Sequence, residues 1–354
     1  MFRIIVYILI SFISGAVSVR GTAFKFEYEK SFELPQKAEL LIINLNGRIE
    51  VRGVTEKTIT IRAIKNVRAV DQTEAERVAE HIEIKAEKQG RRILINTRYH
   101  DLADGAESFW NRLFKSDDDA FGSVDFTILV PEECALEMKS PSGAIRVADL
   151  VGDIHVIGGS GPVEISNIRG NLSINATSGE IDISGIEGNV DVDVSSSNIN
   201  FGYVEGAVEL QTTSGDKVGT DIKGSLKIIG TSGKTRLSKI NGDIGIKSTS
   251  GEVNAEQEYG SFHIETGSGN ITVKTELLSE NEYFFETGSG RVNLLVPEFA
   301  SGSVNMETES GEIKVDLPLT IRNQSEKKLI GNFGMSGPKI TILTATGDIR
   351  LAQY

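Results

Sequence analysis

The stretch Thr177–Asn198, TSGEIDISGIEGNVDVDVSSSN, contains two glycines nine residues apart, each followed by a short run in which aliphatic and polar residues alternate. Aliphatic side chains stand two and four positions after both Gly179 and Gly188. Alternation with a period of two predicts half-buried β-strands, and a glycine at each bend fits a backbone position with positive φ. Because Asp191 and Asp193 lie between valines, three interpretations are open: a calcium-binding nonapeptide, a catalytic acid pair, or one coil of a structural repeat.

The same pattern recurs every 18 residues, which favours the structural repeat. One series of turn glycines, in which Ser197 takes the place of one glycine, consists of Gly143, Gly161, Gly179, Gly215, Gly233, Gly251 and Gly269. A second series follows nine residues behind it and consists of Gly152, Gly170, Gly188, Gly206, Gly224, Gly242 and Gly260. Stacked coils of two strands each, about 4.8 Å apart, make an all-β fold, a parallel β-solenoid. The crossover rule favours a right-handed β-helix.

Departures from the pattern predict irregular places in the solenoid. Lys217 and Gly219 occupy positions where the repeat expects inward aliphatic residues, and we expect a bulge or local widening there. The segment 318–338 does not fit the template and is expected to be an irregular loop.

Two longer coils point to a candidate binding surface. The turn-glycine spacing grows to 21 residues from Gly269 to Gly290 and again to Gly311. The extra residues fall at the same corner, in ELLSEN (276–281) and VPEFAS (296–301), where they are expected to protrude side by side as an apolar ledge. The candidate binding residues on this ledge are Leu277, Leu278, Pro297 and Phe299.

The N-terminal part predicts a cap and a leader. Residues 1–18 combine Arg3 with a short apolar run and small residues, as in a secretory signal peptide; an uncleaved anchor is the alternative. Residues 24–140 are expected to form a small α+β cap with one solenoid-like coil near Gly47, a short helix in DQTEAERVAEHI and a hairpin in IEIKAEKQGRRILINTRY. The repeat domain is then 141–354. A cluster around Trp110 is either a surface loop or a membrane or partner contact.

Charge and cysteine content limit the partners. The formal net charge of -13 argues against nucleic acid, and a membrane is expected to be contacted only through the signal segment. Cys134 is the sole cysteine, so no intrachain disulfide is possible, and two neighbouring glutamates disfavour a reactive thiolate.

The carboxylates do not form a recognisable metal or acid site. The calcium-binding nonapeptide G-G-x-G-x-D-x-U-x has one apolar residue per nine, whereas here each nine has two or three. One acidic column, Glu265, Glu286 and Glu307, recurs at coil spacing and is the candidate for a cation, although a solvated column is favoured and no metal is expected. Nothing singles out a pair of catalytic carboxyls, and no catalytic motif is present. We therefore expect no catalytic residues and no cofactor.

Four segments together resemble a known family. They are the repeated SGxIxV and GxVxI units, EAERVAEHIEIKAEKQGRRILINTRY, VDFTILVPEECALEMKSPSGAIRV and the terminal ATGDIRL. The chain resembles the bacterial putative-adhesin family of β-strand-repeat domains over about residues 35–354. The resemblance implies an exported, non-enzymatic β-helical domain, which in some relatives is linked to envelope stress or surface attachment. The family supplies no catalytic residues.

The expected function is a structural or binding module, adhesin-like, in the periplasm, at the cell surface or outside the cell. Its partner is expected to be an envelope or surface macromolecule, protein or polysaccharide, bound through extended contacts. Two alternatives stay open: a carbohydrate-active enzyme on a β-helix scaffold, and a calcium-stabilised surface rod.

Overall fold

The computed structural model describes residues 22–33, 37–100 and 122–354. The signal segment 1–18 and the cluster around Trp110 lie outside the described residues. The chain divides into two compact units, Met1–Arg169 and Gly170–Tyr354. The predicted repeat strands up to Arg169 thus belong to the first unit. Each unit is described by itself.

The first unit consists of two sheets and one described helix. Its elements are β1 (Thr22–Glu33), β2 (Ala38–Ile43), β3 (Ile49–Val54), β4 (Thr58–Ala69), α1 (Gln72–Glu80), β5 (Ile82–Gln89), β6 (Arg92–Tyr99), β7 (Ser123–Pro131), β8 (Cys134–Ser140), β9 (Ile145–Val151), β10 (Ile154–Gly158) and β11 (Val163–Arg169). One sheet has the order β1-β4-β7-β3-β9-β11 and the other β5-β6-β2-β8-β10.

The cap contains the elements that the sequence predicted and one that it missed. Strand β3, which follows Gly47, pairs in parallel with β9, with Ile49 opposite Ile145. The helix is confirmed; the side chain of its N-cap, Asp71, accepts a hydrogen bond from Glu74 N at 2.9 Å. Strands β5 and β6 form the predicted antiparallel hairpin. The missed element is β1, an edge strand that pairs with β4.

The second unit is a stack of two-strand coils. Its strands are β12 (Leu172–Ser178), β13 (Ile181–Glu187), β14 (Val190–Ser196), β15 (Ile199–Glu205), β16 (Val208–Ser214), β17 (Lys217–Lys223), β18 (Leu226–Gly230), β19 (Thr235–Asn241), β20 (Ile244–Ser250), β21 (Val253–Tyr259), β22 (Phe262–Ser268), β23 (Ile271–Thr275), β24 (Glu282–Ser289), β25 (Val292–Val296), β26 (Gly302–Thr308), β27 (Ile313–Asp316), β28 (Thr320–Gln324), β29 (Lys328–Phe333), β30 (Lys339–Thr346) and β31 (Ile349–Gln353). The predicted parallel β-solenoid is confirmed.

Each coil stacks on its neighbour in register, so that equivalent aliphatic residues lie on top of one another. Ile181 is opposite Ile199, and Val190 is opposite Val208. All four side chains are buried, and burying such a side chain is worth about 1.5–3 kcal/mol relative to leaving it in water. The inward aliphatic ladders therefore supply the core of the unit.

Two backbone devices let the coils stack so closely. A Cβ on Gly188 would collide with Gly170 O in the coil beside it, so only glycine fits this turn. In β13, β15, β17 and β19, the sixth residue after the turn has a backbone in the left-handed region. These residues are Gly185, Tyr203, Asp221 and Lys239, with φ of 68°, 55°, 53° and 54°. This residue reverses the alternation of inward and outward side chains along the strand. The reversal explains why the seventh residue after each turn is buried.

The structure corrects two expected irregularities. Of the bulge or local widening predicted around Lys217 and Gly219, the bulge is wrong, because Lys217 is buried and stays in register with Ile199 and Thr235. The register shift lies between β19 and β21 instead, after Leu237. The irregular loop predicted for 318–338 contains β28 and β29, which form an antiparallel hairpin, and β29 extends the sheet from β26.

The coils of the second unit do not all stack in chain order. One sheet ends β23-β25-β31-β27 and the other ends β22-β24-β30-β26-β29-β28. The coil β30–β31, last in the chain, thus lies between β24–β25 and β26–β27. The sequence spacing predicted the coils but not this insertion.

Candidate binding surfaces

The predicted ledge is only partly a surface. Its two segments follow β23 and β25, which are neighbours, with Thr272 opposite Asn293. Phe299 is 90% exposed and Leu278 is 37% exposed, but Leu277 is only 6% exposed. Leu277 adopts φ of 53°, which accompanies a turn that directs its side chain inward. Pro297 is half-buried.

The end of β31 reaches the same corner and adds an aromatic residue that the sequence did not indicate. Tyr354 N donates a hydrogen bond to Val296 O at 3.1 Å, and its hydroxyl donates to Glu276 Oε1 at 2.9 Å. Lys274 Nζ lies 4.4 Å from the centre of the Tyr354 ring. Burial, followed by the bond to Glu276, raises the pKa of Tyr354 to about 12, so the hydroxyl stays a donor at neutral pH.

Three exposed apolar side chains therefore share this corner. We call Leu278, Phe299 and Tyr354 the corner surface. Gln353 Nε2 also donates to Glu298 O at 2.8 Å, so the segment that leads to Phe299 is held at two carbonyl groups, those of Val296 and Glu298. Tyr354 is 47% exposed, and the corner surface thus presents side chains from three separate parts of the sequence.

The predicted column of three glutamates is interrupted. Glu265 lies opposite Glu286, but Leu343 of β30 pairs with Glu286 on one side and with Glu307 on the other. Three adjacent carboxylates were expected because the coils were assumed to stack in chain order. In the described parts of the chain, no three His, Cys, Asp or Glu side chains are grouped closely enough to hold a metal ion.

Two members of the column, Glu265 and Glu307, each have a lysine neighbour. Glu265 Oε1 lies 2.8 Å from His263 Nε2, and its other oxygen lies 3.1 Å from Lys247 Nζ. The hydrogen bond with His263, and then that with Lys247, hold the pKa of Glu265 below its usual range. Glu307 forms an ion pair with Lys328 at 2.7 Å. A general acid needs the opposite shift, toward a raised pKa.

Charged residues on the outer faces pair with one another across adjacent coils. Lys223 pairs with Glu205 at 2.6 Å, and Lys227 pairs with Glu209 at 2.7 Å, in each case 18 residues apart. Such exposed pairs contribute about 0–1 kcal/mol each. The Lys227 bond also holds the pKa of Glu209 low. These faces are consequently a mixed-charge surface.

A shallow polar cavity of about 290 Å³ opens where Ser197 replaces the turn glycine. It is lined by Gly179, Glu180, Ser196, Ser197, Asn198 and Gly215. Ser196 Oγ lies 2.6 Å from Ser214 Oγ, and Asn198 Oδ1 accepts a hydrogen bond from Asp216 N. Ligand sites usually enclose most of a small molecule and have a largely apolar lining. This cavity is open and its lining is mostly polar.

Cys134 is buried at the start of β8. Desolvation, followed by the charge of Glu39, raises the pKa of the Cys134 thiol to about 12. A catalytic thiol needs a lowered pKa, so the environment of Cys134 is that of a core residue.

Comparison with known proteins finds a match to one family model and similarity to several solved structures. The family model described as Toastrack DUF4097 matches residues 43–257 and 188–352. A solved putative adhesin from Parabacteroides distasonis is 11% identical, with 91% of this chain and 96% of that chain covered and a TM-score of 0.29. A putative cell adhesion protein from Clostridium sporogenes is 11% identical, with 93% and 99% covered and a TM-score of 0.20. No curated protein matches the chain significantly. Within the described residues, no helix has the length and apolar character needed to span a membrane.

Proposed function

The chain belongs to the Toastrack DUF4097 family, and from that premise we propose that it is an exported, non-enzymatic binding module of the cell envelope or surface. The observation that carries the proposal is the corner surface. Phe299 is almost fully exposed beside Leu278 and Tyr354, and the backbone that leads to Phe299 is fixed by hydrogen bonds from Gln353 and Tyr354. An exposed aromatic side chain on a rigid support is the usual anchor of a macromolecular contact.

Binding fits the outer faces better than catalysis does. The carboxyl groups of Glu265 and Glu209 have lowered pKa values, and each bonds to a cation, so neither has the environment of a general acid. Ion pairs that run from coil to coil make a surface suited to extended polar contacts around an apolar anchor. The partner proposed is an envelope or surface macromolecule, protein or polysaccharide.

A pull-down tests the corner surface. The chain lacking residues 1–21 is immobilised and incubated with an envelope extract, and the variant Leu278→Ser/Phe299→Ser is compared with it. The matched control is Ile229→Ser, because Ile229 is 37% exposed like Leu278 but lies on an outer face of β18. We expect the double variant to retain at least tenfold less envelope material than the parent chain does, and the control variant to retain as much as the parent. Equal retention by both variants would contradict the proposal.

Export is tested separately. Residues 1–30 are fused to a reporter enzyme that is active only outside the cytoplasm, and the matched fusion begins at Thr22. The first fusion should be active and the second inactive, because the apolar run after Arg3 is the segment proposed to direct export. Activity of both fusions, or of neither, would remove the support for an exported protein.

A further inference from the structure

The coil β30–β31 is held from both sides in both sheets. Ile340 lies opposite Tyr283 of β24 and opposite Val304 of β26. Ile349 lies opposite Val292 of β25 and opposite Ile313 of β27. The coils β24–β25 and β26–β27 therefore enclose a gap one coil thick, which we call the slot, and residues 339–354 fill it.

Hydroxyl groups tie the inserted coil to the turns on both sides. Thr344 Oγ1 donates to Gly290 O at 3.3 Å, and Thr308 Oγ1 donates to Gly347 O at 3.0 Å. A Cβ on Gly311 would collide with Gly347 O, and a Cβ on Gly347 would collide with Gly290 O. The slot thus accepts one further coil of this repeat type and nothing bulkier at its turn.

On its N-terminal side, the inserted coil is joined to β29 by one short segment, residues 334–338. Strands β29 and β30 lie on opposite sides of β26, so residues 334–338 must pass around the start of β26. Met335 N donates to Ser301 Oγ at 3.1 Å, and Ser303 N donates to Pro338 O at 2.9 Å. Met335 is 96% exposed. The contacts of residues 339–354 with β24, β25, β26 and β27 are non-covalent and would be the same if the coil came from another molecule.

We propose that residues 339–354 are an exchangeable coil and that the slot accepts this coil from a second copy of the chain. When the coil leaves, it opens parallel strand edges on β24, β25, β26 and β27, and unpaired edges favour re-pairing with an identical strand. A short connection around β26 favours exchange between copies, because the same contacts form with less strain on the connection. The proposal does not depend on the proposed binding function.

Exchange would also rebuild the corner surface from two molecules. Tyr354 lies in the exchangeable coil, whereas Leu278 and Phe299 belong to the segments that it contacts. In an exchanged pair, each corner surface combines Leu278 and Phe299 of one copy with Tyr354 of the other. The linked copies would present two corner surfaces in one particle.

Cysteine trapping tests the exchange. Ser289 and Thr346 are exposed partners across β24 and β30, and neighbouring strands bring Cα atoms within disulfide range. Ser289→Cys and Thr346→Cys are made in separate chains that also carry Cys134→Ala. The two proteins are mixed under reducing conditions in mild urea, returned to buffer and oxidised. The control mixture combines Ser268→Cys with Ser289→Cys, which are partners across β22 and β24, outside the exchangeable coil.

We expect the disulfide-linked dimer of the Ser289→Cys and Thr346→Cys chains to form in at least tenfold greater yield than the linked dimer of the control mixture. Non-reducing electrophoresis and peptide mass spectrometry measure both yields. Equal yields of the two mixed dimers, including none of either, would overturn the proposal.

A second variant changes only the connection. Deleting Met335 and Ser336 should raise the proportion of dimer in sedimentation velocity above that of the parent protein, whereas inserting two glycines after Met335 should not. A cooperatively folded monomer after the deletion would contradict exchange. If the deletion variant does not fold, the cysteine-trapping experiment decides the question.

Discussion

Gly219 lies directly against the ring of Phe201 in the neighbouring coil, and a Cβ on Gly219 would collide with Phe201 Cζ. The two residues are register partners, and both point toward the core. The large ring fills the volume that the missing side chain leaves. Packing density in this part of the core is therefore maintained by a pair of unequal residues and not by two aliphatic ones.

This pairing predicts a non-additive response to mutation. Gly219→Ala should lower the free energy of unfolding by about 1–3 kcal/mol, because the new methyl group overpacks the site. Phe201→Ala should lower it by about 3–5 kcal/mol through a cavity. In the double variant the methyl group enters that cavity, so the loss should be smaller than the sum by about 1 kcal/mol or more. Urea unfolding measures all four proteins. Phe201→Ala with Gly245→Ala, a distant pair, is the additive control; additivity in both pairs would contradict the contact.

The period of the sequence predicted which positions face the core but not how unequal residues share it. Lys217 and Gly219 break the aliphatic pattern, and the prediction of a bulge assumed that each coil fills its own cross-section. The structure shows that the missing side chain of Gly219 is compensated by the neighbouring coil, where Phe201 is large. The volume of the core is filled by side chains of neighbouring coils together, so the sequence of a single repeat unit does not show how it is filled.

The order in which the coils stack could not be predicted from the sequence for a different reason. Gly311 and Gly347 are 36 residues apart, twice the repeat, so the spacing is the same whether coils stack in chain order or not. The insertion of β30–β31 separates Glu286 from Glu307 and brings Tyr354 to the ledge. Part of the candidate surface, Leu278 and Phe299, was predictable from the longer coils. Tyr354 was not, because its position depends on contacts between segments distant in sequence.

Two glycines should respond to alanine with opposite signs. Gly185 has φ of 68°, and a left-handed backbone costs a residue with a Cβ about 1–2 kcal/mol. The equivalent position in the next coil holds Tyr203, so space is not limiting and the backbone alone sets the cost. Gly185→Ala should therefore lower the free energy of unfolding by about 1 kcal/mol.

Gly245 is the matched control. It lies in β20 without a positive φ, and the nearest atom to its added Cβ is 4.0 Å away. Gly245→Ala should raise the free energy of unfolding by about 0.4–1 kcal/mol, because alanine restricts the unfolded chain. Urea unfolding of both variants checks the pair, and a loss of stability in both would show that the backbone argument does not apply to these strands.

Cys134 should report unfolding rather than take part in chemistry. Burial raises the pKa of its thiol to about 12, so thiolate is scarce at pH 8 and the sulfur is shielded. We expect a disulfide reagent to modify the native protein at least a hundredfold more slowly than the urea-unfolded protein. The variant Ser289→Cys adds an exposed thiol in a strand and should react at once in the native state. Fast native modification of Cys134 would contradict its burial.

Lys217 makes stability depend on pH in a direction that can be worked out. Its side chain is buried, Nζ donates to Ser232 O at 2.9 Å, and desolvation lowers the pKa of Lys217, with Asp216 opposing the shift. The folded state thus binds a proton less readily than the unfolded chain, in which the pKa of Lys is about 10.4. Between the folded and unfolded pKa values, the free energy of unfolding rises with pH. Below that window the penalty for burying the ammonium is present in full.

Lys217→Met removes the charge and keeps most of the volume. At pH 7 it should leave the free energy of unfolding unchanged or raise it by up to about 2 kcal/mol. The difference between Lys217→Met and the parent protein should then shift in favour of the parent as pH rises from 7 to 10, because the parent loses its penalty. Lys227→Met removes an exposed lysine in the adjacent coil and corrects for the general effect of losing a positive charge. Urea unfolding at both pH values measures the two differences; a constant difference for Lys217→Met, or one that moves in favour of the variant, would mean that the ammonium is not desolvated in the folded protein.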